Sequence, residues 1–247
     1  MLILAFESSA KPASVAVYYT PCDNTPGDKN AENSDGKLVG QYFQDNGFSH
    51  SRTLMAMADS LLTNLGLRPS DIGLVAVASG PGSFTGIRIG VAAAKGFAFG
   101  LDIPVCGVST LEAMARQTLG FEGLICPVMD ARREQVYNAM FKWQDGDVVR
   151  LCKDRAISIE ELALDLKGKE SPCILLGDGA EICSGAFNRL SICTSRDFPI
   201  FRIAPEPLRC QTACGVALLA IKTKSVTAVE LEPFYLRPSQ AEREYQK

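Results

Sequence analysis

Apolar positions along the chain fall into short runs that alternate between strand-like and helix-like spacing. Leu2 to Phe6 is an apolar run closed by Glu7-Ser8-Ser9, and Ser14 to Tyr19 is a second, β-rich run. The polar turn between them carries Lys11-Pro12, so the pair predicts a hairpin. Pro21 to Gly36 is polar with no large apolar residue, and predicts a mobile hairpin tip or a partly disordered segment. Leu38 to Phe43 resumes as a third strand. Over Ser49 to Leu65 the spacing of Leu54, Ala58, Leu61, Leu62 and Leu65 predicts a helix. Ser49 or Ser51 can cap its start, and Gly66 with Pro69 beyond it marks the stop. Met55 and Met57 widen the apolar face past one stripe. They read either as gap-filling core residues or as a second face for another chain.

Ile72 to Ala78 is nearly all apolar, as in a strand covered on both faces. The loop Ser79 to Gly90 leads into a small-residue helix over 91–100. Ile103 to Val108 predicts another strand, and Ser109 to Leu119 another helix with Ser109 or Thr110 as cap. The second half follows a looser version of the same order. Strands are predicted over Leu124 to Met129, Gln135 to Trp143, Val148 to Ala156 and Cys173 to Leu176. Helices are predicted over Ile159 to Leu166, Ala180 to Leu190 and Pro207 to Ile221. The repeated βββαβαβα order suggests two copies of one α/β unit with a cleft between them. The expected division is 1–122 for a first lobe, 123–225 for a second, degenerate lobe and 226–247 for an extended, exposed tail.

Composition narrows the function classes. Hydrophobic residues make up 47% and charged residues 21%, the balance of a water-soluble globular chain. The net charge of −3 argues against a surface built wholly to grip nucleic acid. The nine cysteines include no C-x-x-C pair, and with one His there is little to complete a zinc site. Cys106, Cys126 and Cys173 sit in apolar runs and read as buried core thiols, in a reducing compartment. The N-terminus has no basic region before its apolar start, and no apolar run reaches membrane-spanning length. The expected location is the cytoplasm.

Two turns of the first half could meet a nucleotide. Glu7-Ser8-Ser9 closes the first strand with a carboxylate and hydroxyls, able to act through Mg²⁺ or directly on phosphate, or merely to form a hairpin turn. Gly80, Gly82, Ser83, Thr85, Gly86 and Arg88 lie in the string SGPGSFTGIRIG between a buried strand and a helix. Its glycines allow close backbone approach and its helix start offers amides to an anion, but it is neither a P-loop nor G-x-G-x-x-G. Tight packing is the other reading of the same glycines. In the second half Asp130 could mirror the Glu7 turn or be held by Arg132 or Arg133. The Gly177-Asp178-Gly179 turn is a further candidate.

As a string, GPGSFTGIRIG after an apolar strand resembles the TsaB (YeaZ) family. The resemblance continues through GVSTLEAMA at 107–115, MDARREQVY at 129–137, GDGA at 177–180 and PFYLRP at 233–238. The polar insert over 21–36 is longer than the family usually carries. The resemblance implies an α/β fold of the actin/Hsp70/sugar-kinase (ASKHA) type with two tandem βββαβαβα lobes. It also implies a non-catalytic role in adding threonylcarbamoyl to adenosine 37 of tRNAs reading ANN codons. The implied partners are TsaD as a heterodimer, TsaE in a ternary complex, and a second copy of the chain when TsaD is missing. tRNA would be met only through the complex, and ATP and metal would sit on the partner subunits. The His-x-x-x-His metal pair that characterises TsaD falls here on Thr110 and Met114, neither a good ligand for iron or zinc. The implied interface is helix 49–65 with helix 109–119, through His50, Thr53, Leu54, Met57, Leu61 and Glu112. The Glu7, Gly80–Arg88, Asp130 and 177–179 positions would form at most a vestigial nucleotide site. An actin-like ATPase or small-molecule kinase is the alternative, and would need those positions to converge on Mg-ATP. A protease is disfavoured, because His50 would be its sole base and no nucleophile elbow is present.

Overall fold

A computed structural model describes residues 1–21, 36–47, 49–190 and 198–237. Most of the 21–36 insert, two of the cysteines and the tail beyond 237 lie outside the described residues. The chain is an α/β fold with mixed sheets, divided into two compact units. The first comprises Met1–Ala113 with Gln211–Phe234, and the second Met114–Cys210 with Tyr235–Lys247.

Unit 1 is built on a five-stranded sheet of order β3-β2-β1-β4-β5. β1 (Leu2–Glu7), β2 (Ala13–Tyr19) and β3 (Lys37–Gln44) form the expected antiparallel meander, with Glu7 opposite Ser14. β4 (Leu74–Gly80) and β5 (Val105–Ser109) run parallel to β1. α1 (His50–Asn64) and α2 (Phe84–Leu101) join these strands. Side chains alternate across a strand. Ile3, Ala5, Leu74, Ala76, Cys106 and Val108 therefore form one face, and they pack on α7 (Ala213–Ala220). α2 starts at Phe84, inside the glycine motif rather than after it, because Ser83 caps it by accepting the Gly86 N–H at 3.3 Å. Among the described residues α2 is the one helix long and apolar enough to cross a membrane, which corrects the expectation that no run reaches that length. It lies along β4 with Ile87, Val91, Ala94 and Ala98 buried.

Unit 2 repeats the strand arrangement around β6 (Leu124–Asp130), with order β10-β7-β6-β11-β12. α3 (Thr110–Arg116) leads into it. β7 (Gln135–Asn138) and β10 (Arg155–Ser158) are antiparallel, while β11 (Cys173–Leu176) and β12 (Phe201–Ile203) are parallel. Between β7 and β10, β8 (Phe141–Gln144) and β9 (Asp147–Arg150) form an extra hairpin. Asp145 and Gly146 both take positive φ there, the Asp-Gly chemistry of a tight hairpin. That turn lies between the strands expected over 135–143 and 148–156, and each of those is itself broken, at 139–140 and at 151–154. α4 (Ile159–Leu166) is opened by a Ser158–Glu161 capping box and, with α5 (Ala180–Phe187), buries Leu162, Leu166, Cys183 and Phe187 on the sheet. Cys126 and Cys173 lie in this core, and Cys106 in that of unit 1, as free thiols.

Two expected boundaries are corrected. The helix expected over 207–221 is two pieces, α6 (Glu206–Arg209) and α7, because Thr212 caps a new start at Gly215 N–H. α7 belongs to unit 1, since its apolar surface fills the face lined by Ile3 and Ala5, so no second lobe runs unbroken over 123–225. Nor is 226–234 an exposed tail. Val226 pairs with Val105, Leu231 is buried, and Lys95 Nζ donates to Val229 O at 3.1 Å and Leu231 O at 2.9 Å.

Candidate functional site

β1 delivers Glu7 to the carboxyl end of the unit 1 sheet, where the chain turns through Ser8 and Ser9. The glycine motif closes on this turn. Ser8 Oγ donates to Gly86 O at 2.9 Å, and Ser83 N–H donates to Ser9 O at 2.6 Å. A Cβ on Gly86 would lie 2.0 Å from Ser8 O, and one on Gly90 would lie 2.5 Å from Ser8 Oγ. Gly86 and Gly90 are therefore glycines because the β1–β2 turn occupies the space a side chain would need. Gly80 adopts φ +134, and a Cβ there would meet Phe234 O at 2.1 Å. The carboxyl-terminal segment thus passes directly over the motif, with Phe234 N–H bonded to Ser79 O at 2.7 Å. Gly82 takes φ +157 at the bend into α2. Ser83, Thr85 and Arg88 face outward, with the Arg88 guanidinium 4.1 Å from the Phe84 ring centre. In this arrangement Gly80, Gly86 and Gly90 pack against the protein's own chain.

Glu7 is only 1% exposed. Its Oε1 accepts the Ser9 N–H at 2.6 Å, and its Oε2 has no partner. Burial pushes the carboxyl up to about 7, against the opposing pull of hydrogen bonds from Ser9 and Ser8. No neighbouring charge contributes to that shift. A phosphate placed beside an ionised Glu7 would meet repulsion unless a cation lay between them.

In unit 2 Asp130 and the 177–179 turn do come together. Asp130 N–H donates to Asp178 Oδ1 at 3.1 Å, and Gly179 N–H to Val128 O at 3.1 Å. Gly177 takes φ +93, and a Cβ there would lie 2.2 Å from Val128 O. Arg132 holds Asp130 through its N–H at 2.7 Å and its guanidinium at 3.0 Å, the local ion-pair reading of that residue. Burial, with help from nearby Asp130, raises the Asp178 carboxyl above its usual range. Glu7 and its turn belong to unit 1, and Asp130 with Asp178 to unit 2.

Thr110 and Met114 are both buried on α3, with Met114 packed against the Gly177 turn. Among the described residues no group of three or more His, Cys, Asp or Glu could hold a metal. Leu54, Met57 and Leu61 are 1%, 4% and 2% exposed, so their side chains already belong to the core. This corrects their assignment as a docking face. The helix repeat turns them toward β2 and β3 and leaves Met55, 43% exposed, on the outer side with Ala56 and Asp59. His50 is partly buried, with Nε2 2.8 Å from Ala10 O. Thr53 Oγ1 donates to Ser49 O at 3.4 Å, and Glu112 is half-buried with its N–H bonded to Ser109 Oγ at 3.3 Å.

Sequence reasoning missed three features. Arg132, Arg133 and Glu134 all take positive φ, and nothing in their residue types signals it. The docking of 226–234 on the glycine motif depends on a pairing remote in sequence. Gln211, just before α7, is buried with both amide atoms unpartnered, and a lone polar residue carries no pattern to mark it.

Comparison with known proteins adds family evidence. Residues 46–197, more than half of the chain, match the family model described as TsaD: tRNA N6-adenosine threonylcarbamoyltransferase. The tRNA threonylcarbamoyladenosine biosynthesis protein TsaB of Bacillus subtilis is 40% identical over 129 residues, which span 52% of this chain and 56% of that one. The protein of the same name from Escherichia coli is 28% identical over 96% of this chain and 95% of its own. The solved structure of YeaZ from Pseudomonas aeruginosa has the same fold, with a TM-score of 0.73 at 23% identity, covering 95% of this chain and 99% of that one.

Proposed function

The chain belongs to the TsaB (YeaZ) family, within the wider group that the threonylcarbamoyltransferase model describes, and we propose that it is the non-catalytic partner of TsaD in making threonylcarbamoyladenosine at position 37 of tRNA. The observation that carries the non-catalytic part is the filled glycine motif. Ser8 backbone and the Phe234 carbonyl occupy the places where Gly86 and Gly80 could otherwise approach a ligand. The Thr110 and Met114 pair on α3 supports the same reading, because a hydroxyl and a thioether make a poor site for iron or zinc. The strand order 3-2-1-4-5 recurs in both units, counting the main strands of each, and supports an actin/Hsp70/sugar-kinase-like fold with an inactive nucleotide site. ATP and metal are then supplied by the partner subunits, TsaE joins the TsaD pair, and tRNA is engaged through the assembly. Docking uses the outer side of α1 around Met55 and Asp59, for TsaD or for a second copy of the chain. A role in tRNA modification fits a cytoplasmic protein.

The test is reconstitution of the modification on unmodified tRNA with purified components, followed by nucleoside mass spectrometry. Threonylcarbamoyladenosine should form with TsaD and this chain together, and neither should form it alone. Equal yield without this chain would refute the partner role. ATP turnover by the chain alone would refute the non-catalytic one.

A further inference from the structure

Within unit 1, α7 covers one face of the sheet, against Cys106 and Val108 of β5. The segment that follows it crosses to the other face. Val226 meets β5, the outermost strand of the sheet, and exchanges two backbone bonds with Val105 at 2.8 and 2.9 Å. Leu231 then lies against Gly107, where an added Cβ would be 2.8 Å from Leu231 Cδ1. Strand alternation turns Gly107 away from α7. It faces the side that carries α2, since Val77, its partner on β4, lies 3.3 Å from where a Cβ on Gly90 of α2 would be. On that side Lys95 Nζ reaches the carbonyls of Val229 and Leu231, and Phe234 ends over Gly80. The missing side chains of Gly107 and Gly80 thus make the room that residues 226–234 fill.

The segment is lightly attached. An isolated bridge at Val226, rather than a ladder, ties it to β5. Ala228 and Leu231 are buried, whereas Val229 is 73% and Phe234 47% exposed. Its central turn supplies its own partners, because Glu230 Oε2 accepts the Thr227 N–H at 2.9 Å and the Thr227 hydroxyl at 2.8 Å. Those bonds survive if the segment lifts. The α7 core survives too, because it lies on the opposite face. Parts of a fold with few buried apolar contacts open at lower free energy than the whole. Against this, the Lys95 ammonium grips two carbonyls in the middle of the segment, and charged hydrogen bonds are the stronger kind. We propose that residues 226–234 are a lid that lifts as one unit from the glycine motif, with Lys95 as its latch. Lifting takes the Phe234 carbonyl off Gly80 and uncovers the edge of β5, while Ser8 stays against Gly86. The proposal concerns unit 1 alone and stands or falls independently of the role in tRNA modification.

The test is native-state amide hydrogen exchange of the full chain, read by NMR over a series of low urea concentrations. The Val226 and Phe234 amides should exchange at least about tenfold faster than the ladder amides between β1 and β4, and with a weaker urea dependence. Lys95→Met should speed the two lid amides by about a further tenfold and leave the β1 and β4 amides unchanged. Lys95→Arg keeps the donors and should restore most of the protection. If Lys95→Met does not fold, Leu231→Ala decides the same question by removing the buried anchor. Lid amides that exchange with the rate and urea dependence of β1 and β4 would overturn the proposal, because the segment would then open only with the whole fold. Lid exchange unaltered by Lys95→Met, or exchange accelerated equally throughout the chain, would also overturn it.

Discussion

Gly86→Ala and Gly96→Ala make the same change on one helix and should have opposite effects. At Gly86 the added methyl would sit 2.0 Å from Ser8 O, where ordinary contact begins near 3.4 Å, so the turn or the helix must move by more than 1 Å. The turn cannot move alone. Ser8 Oγ to Gly86 O at 2.9 Å and Ser83 N–H to Ser9 O at 2.6 Å tie it to α2. Losing those two bonds costs about 1 kcal/mol each, and overpacking adds about 1–3 kcal/mol. Gly86→Ala should therefore destabilise by about 3–5 kcal/mol. At Gly96 an added Cβ meets nothing within 4 Å, and the site is exposed in the helix interior. Gly96→Ala should stabilise by about 0.5–1 kcal/mol, through lower backbone entropy in the unfolded chain and better helix propensity. Urea unfolding followed by circular dichroism gives both values from the midpoint, provided the slope is unchanged. If the two variants fall within 0.5 kcal/mol of each other, the steric account of the motif is wrong.

Two further outcomes follow from burial. Stability should decline between pH 4.5 and about 7 and level off above, because the Glu7 carboxyl titrates at about 7 when folded against 4.5 unfolded. The raised folded value means the folded state holds the proton more tightly, so the penalty is absent below pH 4.5 and reaches about 3 kcal/mol once both states are ionised. Glu7→Gln should abolish that decline, and a wild-type-like pH profile in the variant would contradict it. Leu54→Glu should unfold the chain, since it buries a charge at a position 1% exposed. Met55→Glu, at 43% exposure, should change stability by less than about 0.5 kcal/mol while weakening capture of TsaD. A Leu54→Glu chain that melts like the parent, or a Met55→Glu chain that binds TsaD unimpaired, would count against that placement of the docking face.

Much of the fold was readable from local pattern, because each element carries its own signal. The β1–β2 hairpin, the α1 stripe and the Ser158–Glu161 cap are decided by residues within a few positions of one another. The breaks at Asp145-Gly146 and before Thr212 were also local, and the turn and cap chemistry marked them. The outward side of α1 was harder. Met55 and Met57 are chemically alike, and only the position of β2 decides which is core.

What the sequence determined by itself was the order of elements and the backbone demands of the glycine motif, since periodicity and glycine spacing are properties of neighbours along the chain. The identity of whatever approaches those glycines was decided by the tertiary structure. Gly86 faces Ser8 and Gly80 faces Phe234, partners 78 and 154 positions away. α7 is apolar on nearly every side, so no moment in its sequence could say which sheet it covers. The charge of Glu7 is likewise a tertiary property. A carboxylate at the end of a strand can serve phosphate, metal or a turn, and it is burial within unit 1 that raises its affinity for a proton.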